Sequence, residues 1–292
     1  MKVSGFTFIK DALIYDYPVV EAILSILPVC DEMVVAVGKS RDDTIDLIKQ
    51  MGSPKIRIVE TEWDESLREG GAVLAMETNK AKAEISPDSD WAFYIQGDEV
   101  LPEKYLDDVR TQMLLYKDDL RVDGFLFRYL HFYGSYDFTG SSSRWYKHEI
   151  RIIRNDPSIY SYKDAQGFRK GDNEKLNVIP LDAEMYHYGW VREPAAMQRK
   201  EENFHKYWHD NAWVDQHVKK ADKFDYETHV DELKPFLAEH PEVMKKRIAS
   251  KNWKFDFDIS HNRKSLKEKA KDLMVQRFGL DFNYKNYKLL KK

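Results

Sequence analysis

Cysteine is almost absent: Cys30 stands alone in 292 residues. A single thiol excludes an internal disulfide and fits a reducing compartment. Asp31 is its neighbour and no nucleophile signature surrounds it, so it points to no thiol chemistry. Long apolar runs are missing too. The best, Val19 to Val29, contains Glu21 and Pro28 and is too short to cross a bilayer. Met1-Lys2-Val3-Ser4-Gly5-Phe6 lacks the apolar core of a secretory signal, so a cytoplasmic protein is expected. There is no G-x-G-x-x-G, no Walker loop, no G-x-S-x-G elbow and no H-E-x-x-H. Their absence removes the dinucleotide fingerprint, the phosphate loop of P-loop enzymes, the serine-hydrolase nucleophile and the zinc-peptidase helix. Internal repeats and low-complexity tracts are absent as well.

What is present is a chain long enough for one large core, or one and a half. It carries 17 Tyr, 15 Phe and 7 Trp, which fill cores and also line clefts for sugars or bases. The net charge of −4 is unevenly spread. Val243 to Lys292 holds 15 Lys+Arg against 5 Asp+Glu, and the preceding 242 residues hold 31 against 45. A basic appendage on an acidic body suits an anionic partner, or a solvated face docked on that body. Basic residues interleave with aromatics in Trp253-Lys254-Phe255 and Tyr284-Lys285-Asn286-Tyr287-Lys288. The acidic body argues against nucleic acid, and peripheral contact with anionic lipid is the expected alternative.

Strands and helices alternate from the start. Lys2 to Ile9, Glu32 to Val37, Ile56 to Val59 and Trp91 to Ile95 read as strands. Helices are expected from Tyr17-Pro18, over Thr44 to Met51 and over Gly71 to Ile85. This rhythm implies parallel βαβ units. Tyr105 to Tyr116 reads as a further helix. Gly124 to Tyr129, Ile150 to Arg154 and Val178 to Tyr188 read as strands, separated by a loop over Gly134 to Lys147 and a polar excursion over Asn155 to Asn177. From Pro194 the chain is charged, aromatic and helix-like. The most informative stretch is Asp90-Trp91-Ala92-Phe93-Tyr94-Ile95-Gln96-Gly97-Asp98-Glu99-Val100-Leu101-Pro102. A buried strand that delivers carboxylates to its C-terminal tip is where open α/β sheets place ligand chemistry, and hard cations with phosphate ligands need such oxygens.

Three segments in order resemble a family 2 glycosyltransferase of GT-A fold: Ser40-Arg41-Asp42-Asp43-Thr44 after the second strand, Asn79-Lys80-Ala81 before the fourth, and Trp91 to Leu101. The similarity covers roughly residues 3 to 192. It implies an α/β fold with a GT-A-like, Rossmann-related, mostly parallel mixed sheet flanked by helices. The catalytic domain would span 1–193, followed by a helical, basic extension over 194–292. It further implies a nucleotide-diphosphate sugar donor, a glycan or lipid-linked acceptor, an inverting mechanism and a divalent metal, Mn²⁺ or Mg²⁺. The family's Asp-x-Asp is here Gln96-Gly97-Asp98, an amide in place of the first acid.

The expected metal ligands are Asp98 and His187, since carboxylate and imidazole together suit Mn²⁺. The alternative for Asp98 is a helix N-cap and for His187 a core position between Tyr186 and Tyr188. Glu99 is open between orienting an acceptor and favouring a helix N-terminus. The resemblance places the catalytic base at Asp164, with Glu149 next and Asp182 weaker. Phe8, Lys10, Ser40, Asp42, Glu60, Trp63, Lys80 and Gln96 are the expected nucleotide contacts, with Arg192 and Lys200 as further phosphate candidates. His205 and His209 have metal-ligand spacing without a third ligand and read as a surface pair. Two competing readings remain. A nucleotidyltransferase would want a glycine loop where Lys10-Asp11-Ala12-Leu13 stands. A carbohydrate- or lipid-surface-binding module would have kept the fold and lost catalysis.

Overall fold

The computed structural model describes residues 1–259 apart from 65, 68, 143, 144, 219, 229 and 231, and beyond these 274, 277 and 285–290. Much of the basic C-terminal segment, Tyr284 included, therefore lies outside the described residues.

Val3–Ile9 forms β1, Glu32–Gly38 β2, Ile56–Thr61 β3 and Trp91–Tyr94 β4. Successive side chains of a strand point to opposite faces. Val3, Val35 and Phe93 accordingly join one buried cluster, and Phe6, Val34 and Tyr94 the other. Strands buried on both faces need helices on both faces. Helices α1 (Val19–Ile26) and α2 (Thr44–Lys49) supply Ile23, Ile26 and Ile48 to the first cluster, and α3 (Ala72–Ala83) supplies Ala81 to the second. The four strands pair in parallel, in the order β3-β2-β1-β4. In that order the crossovers diverge on either side of β1 and β4, leaving a crevice beyond their C-terminal ends.

Past β4 the sheet becomes mixed. Glu99–Val100 (β5) and α4 (Leu106–Leu115) precede Gly124–Tyr133 (β6), Phe138–Gly140 (β7) and His148–Arg154 (β8). Then come Ile159–Tyr162 (β9), Gly167–Lys170 (β10) and the 17-residue Glu174–Trp190 (β11). β8 runs antiparallel between β4 and β6, and β11 runs parallel to β6. The polar excursion expected over Asn155 to Asn177 is in fact a β9–β10 hairpin. Its alternate residues Ile159 and Phe168 face the second cluster, and its turn uses left-handed Lys163 and Ala165. Asn79 of α3 clamps this hairpin, donating to Ser161 O at 2.8 Å and accepting from Ser161 N at 2.7 Å.

After β11 come α5 (Pro194–Phe204), α6 (Asn211–His217) and α7 (Lys245–Ala249), with short strands Leu233–Pro235 (β12) and Tyr287–Leu289 (β13). Glu193 caps α5 by accepting from Ala196 N, with Pro194 in the first turn. β12 pairs with β7 and β13 with β11, so the extension is tied back into the sheet. Among the described residues no helix is long and apolar enough to cross a membrane.

Candidate active site

A cavity of about 400 Å³ occupies the crevice beyond β1 and β4. Phe8 and Lys10 reach it from the end of β1, and Gln96 and Asp98 from the tip of β4. Three later elements close it: the β9–β10 turn brings Asp164, β11 brings His187 and α5 brings Lys200.

Asp98 is not a helix cap. The residues after it form β5, paired antiparallel to β11 with Glu99 opposite His187. One carboxylate oxygen, Oδ2, accepts from Arg192 Nη2 at 3.2 Å and lies 3.9 Å from Lys200 Nζ. The other, Oδ1, lies 3.7 Å from His187 Nε2. Burial alone would push the Asp98 carboxyl up, but the charges of His187 when protonated, Lys200 and Arg192 outweigh it and hold it below the ordinary range. Burial also lowers Lys200 to about 8 and His187 to about 4, so at neutral pH Lys200 is charged and His187 is neutral. One anion and two cations then meet here: Asp98 and Lys200 line the cavity, and Arg192 stands fully buried behind Asp98. This surplus of one positive charge suits a diphosphate.

The donor set at this cavity wall fits a divalent cation. A carboxylate oxygen and an imidazole nitrogen face each other, and the gap between them is kept by Gly189. A Cβ there would stand 2.5 Å from His187 Cε1 and 3.1 Å from Asp98 Oδ2. Among the described residues there is no group of three acidic, His or Cys side chains poised as ligands. The protein would thus give two ligands and leave the rest to water and phosphate, the usual arrangement for a nucleotide-bound ion.

Gln96 does not face this gap. Its Nε2 donates to Ala165 O at 3.2 Å, holding the turn that presents Asp164. A carboxylate could not make that bond. Lys163 and Ala165 flank Asp164 with φ of 54° and 62°, a strained geometry of the kind concentrated at functional turns. Gly71, with φ 72°, packs beneath: a Cβ there would come within 2.8 Å of Asp164 Cβ. Burial raises the Asp164 carboxyl above its ordinary range.

Glu149 occupies a different place. It is buried in β8 and does not line the cavity. Burial, reinforced by Glu99 and Asp164 and opposed by Arg151, raises it to about 8. A carboxyl protonated at neutral pH is a poor base. Because the folded state holds this proton above the ordinary value of 4.5, its stabilising contribution is full below that pH and is lost as pH rises towards 8. Glu149→Gln should therefore gain stability relative to the parent as pH rises through this window, with no gain at pH 4.5. Thermal melts across pH 4 to 9 check this, and a constant offset between the two proteins would refute it.

The remaining expected contacts divide. Trp63 lines the cavity against Phe8, ring centroids 5.6 Å apart, with Lys10 Nζ 5.5 Å from its ring. Ser40, Asp42, Glu60 and Lys80 do not line it. Ser40 Oγ accepts from Asp11 N at 3.0 Å and Asp42 accepts from Ile14 N at 2.8 Å, so both brace the turn after β1. Glu60 is exposed on β3, and Lys80 pairs with Glu77 at 2.6 Å. Asp182 pairs with Arg128 at the surface. His209 stacks on Trp213 of α6 with ring centroids 3.5 Å apart, and His205 lies beside both rings.

Sequence reasoning did not anticipate the aromatic wall of Tyr146, Trp190, Tyr207 and Trp208, nor His131. Lys200 carried a readable signal. It shares the spacing of Ala196, Met197 and Phe204, the inward stripe of α5, where a lysine is out of place unless paired.

No protein-family model matches the sequence, and no curated protein matches it. Among solved structures the chain is similar to S. aureus TarS, at 13% identity and a TM-score of 0.43 over 76% of this chain and 41% of that one. It is similar to S. aureus TarS 1–349 in complex with UDP, at 13% and 0.40 over 76% and 68%. It is also similar to glucosyl-3-phosphoglycerate synthase from Mycobacterium tuberculosis in complex with Mn²⁺, UDP and glucosyl-3-phosphoglycerate, at 19% and 0.31 over 46% and 45%. The chain spans about two-fifths of the length of TarS. These are likenesses of chain path, and the roles assigned below rest on the residues of this chain.

Proposed function

We propose that the chain transfers a sugar from a nucleotide-diphosphate sugar to an acceptor hydroxyl, with inversion at the anomeric carbon. The observation that carries this reading is the meeting of Asp98, His187 and Lys200 on one cavity wall, with Arg192 buried behind Asp98 and Asp164 on the adjoining turn. The donor's nucleotide would lie along Phe8, Lys10 and Trp63. Lys200 would take up charge on the departing diphosphate, with the buried Arg192 adding its field from behind Asp98. Asp164 would accept the acceptor's proton as its oxygen attacks the anomeric carbon and the bond to the diphosphate breaks. A divalent ion held by Asp98 and His187 would supply Lewis-acid neutralisation of the leaving group. The aromatic wall would bind acceptor rings. A glycan or lipid-linked acceptor fits that wall, and the basic segment beyond Val243 would meet an anionic lipid surface. Residues 1–193 would be the catalytic unit, completed by Lys200 from the extension.

Calorimetric titration of UDP-, GDP- and CDP-sugars with and without Mn²⁺ tests the reading. One nucleotide series should bind in the presence of the ion and be released by chelation. A folded protein that binds none of them, or that binds glycans with no nucleotide dependence, would instead support a non-catalytic module.

A further inference from the structure

His131 has no place in the scheme above, yet it touches the site. It lies on β6 directly beside His187 of β11 in the parallel register. It is buried, with its ring stacked on Trp145 at 5.0 Å and set edge-on to Tyr146 at 4.4 Å. Its two nitrogens have different partners. Nε2 lies 2.7 Å from the carbonyl oxygen of Tyr146, and Nδ1 lies 3.0 Å from His187 Nδ1.

The carbonyl can only accept, so His131 Nε2 carries a hydrogen. One proton is then shared across the two Nδ1 atoms. Placing it on His131 would make that ring a buried imidazolium whose two nitrogens face only a carbonyl and a neutral ring, an arrangement that is costly to desolvate. Placing it on His187 leaves both rings neutral and both hydrogen bonds made. His187 is then protonated at Nδ1, and its Nε2 is a bare lone pair. That lone pair faces Asp98 Oδ1 across 3.7 Å, too far for a hydrogen bond and with no hydrogen between two acceptors.

We propose that His131 is a positioning residue: it relays the Tyr146 carbonyl to His187, fixes the Nδ1-protonated tautomer and so presents a bare Nε2 to a cation shared with Asp98. The proposal rests on the metal-dependent reading above and extends it. A ligating imidazole commonly gives its other N–H to a carboxylate, a carbonyl or water. Here a second imidazole stands between ligand and carbonyl. It transmits the acceptor character of the carbonyl by one ring's length.

The test uses the full chain, ¹⁵N-labelled at histidine and metal-free. Long-range ¹H–¹⁵N spectra should show His187 protonated at Nδ1. In His131→Phe the acceptor is lost, and His187 should move its proton to Nε2, on the side of the Asp98 carboxylate. Mn²⁺ affinity, read by electron paramagnetic resonance, should fall about 10- to 100-fold. His131→Gln keeps a donor for Tyr146 and an acceptor for His187 and should restore both the tautomer and most of the affinity. An Nε2-protonated His187 in the parent protein overturns the inference. So does His131→Phe with tautomer and affinity unchanged. If Mn²⁺ fails to bind a parent protein that shows the expected tautomer, the functional reading falls and the relay stands, so the two failures are distinguishable. The parent spectrum decides the tautomer even if His131→Phe does not fold.

Discussion

Asp98→Asn will remove ion-dependent donor binding and lower kcat/KM by about a hundredfold or more, the scale seen when one preorganised electrostatic partner is lost from an active site. The amide keeps the size and one acceptor, so the change isolates charge. Two effects should appear together. The proposed ion would lose the carboxylate that faces His187, and Arg192 and Lys200 lose the anion that balances them in a buried site. A lowered melting temperature is therefore expected alongside the lost binding, because stripping one partner from a buried ionic group leaves the others uncompensated. Calorimetry with Mn²⁺ and the donor, run beside thermal melts, separates the two effects. If donor binding survives intact while the melt shifts, Asp98 is structural only and the catalytic assignment fails.

Glu99→Gln, one residue further on, should do nearly the reverse. The two oxygens of Glu99 hold Arg151 in a fork, at 2.8 Å to Nε and 2.7 Å to Nη2, and both side chains are fully buried. Tyr129 donates to the same carboxylate at 2.7 Å and the Gln96 backbone N–H at 3.1 Å. Neutralising one member of such a pair costs about 3–5 kcal/mol. Urea denaturation should show a lowered midpoint, and the folded fraction should still bind the donor. Replacing the pair together, Glu99→Leu with Arg151→Met, should recover much of the loss, since an apolar substitute removes both desolvation costs. Equal stability of Glu99→Gln and the parent would show that Arg151 finds another anion. The same result would undo the account of why this acid follows Asp98.

The contrast explains what could be read from the sequence. The strand ending in Gln96-Gly97-Asp98-Glu99 and the alternation of the first hundred residues were legible because period and burial are local properties. β1 to β4 form where apolar runs predicted them. The two acids looked alike because nothing local distinguishes a carboxylate aimed at a cavity from one aimed into the sheet. Their partners Arg192 and Arg151 lie 94 and 52 residues away. Gln96 looked like damage to a metal motif and is instead the donor that holds the Ala165 turn. Ser40, Asp42 and Lys80 do not line the cavity, and the positions of the first two were likewise set by partners no local pattern shows. Ser40 and Asp42 accept from Asp11 N and Ile14 N, 29 and 28 positions away in the turn after β1, so long-range partners again decide, whereas Lys80 pairs with Glu77 on its own helix. The β9–β10 hairpin was hidden because its polar composition resembles a loop. Only the inward positions Ile159, Ser161 and Phe168 betray its alternation.

The pairing of β13 with Leu176 to Val178 of β11 has a consequence for biosynthesis. β11 carries His187 at its other end, and part of its outer edge is covered only by a strand synthesised about a hundred residues later. At about 5–20 residues per second, translation leaves that edge open for several seconds after β11 itself has emerged. An unpaired edge of this kind is a template for other chains. The nascent protein thus passes through an interval in which a holdase, a slowed codon tract or a crowded polysome would decide between a completed sheet and an aggregate.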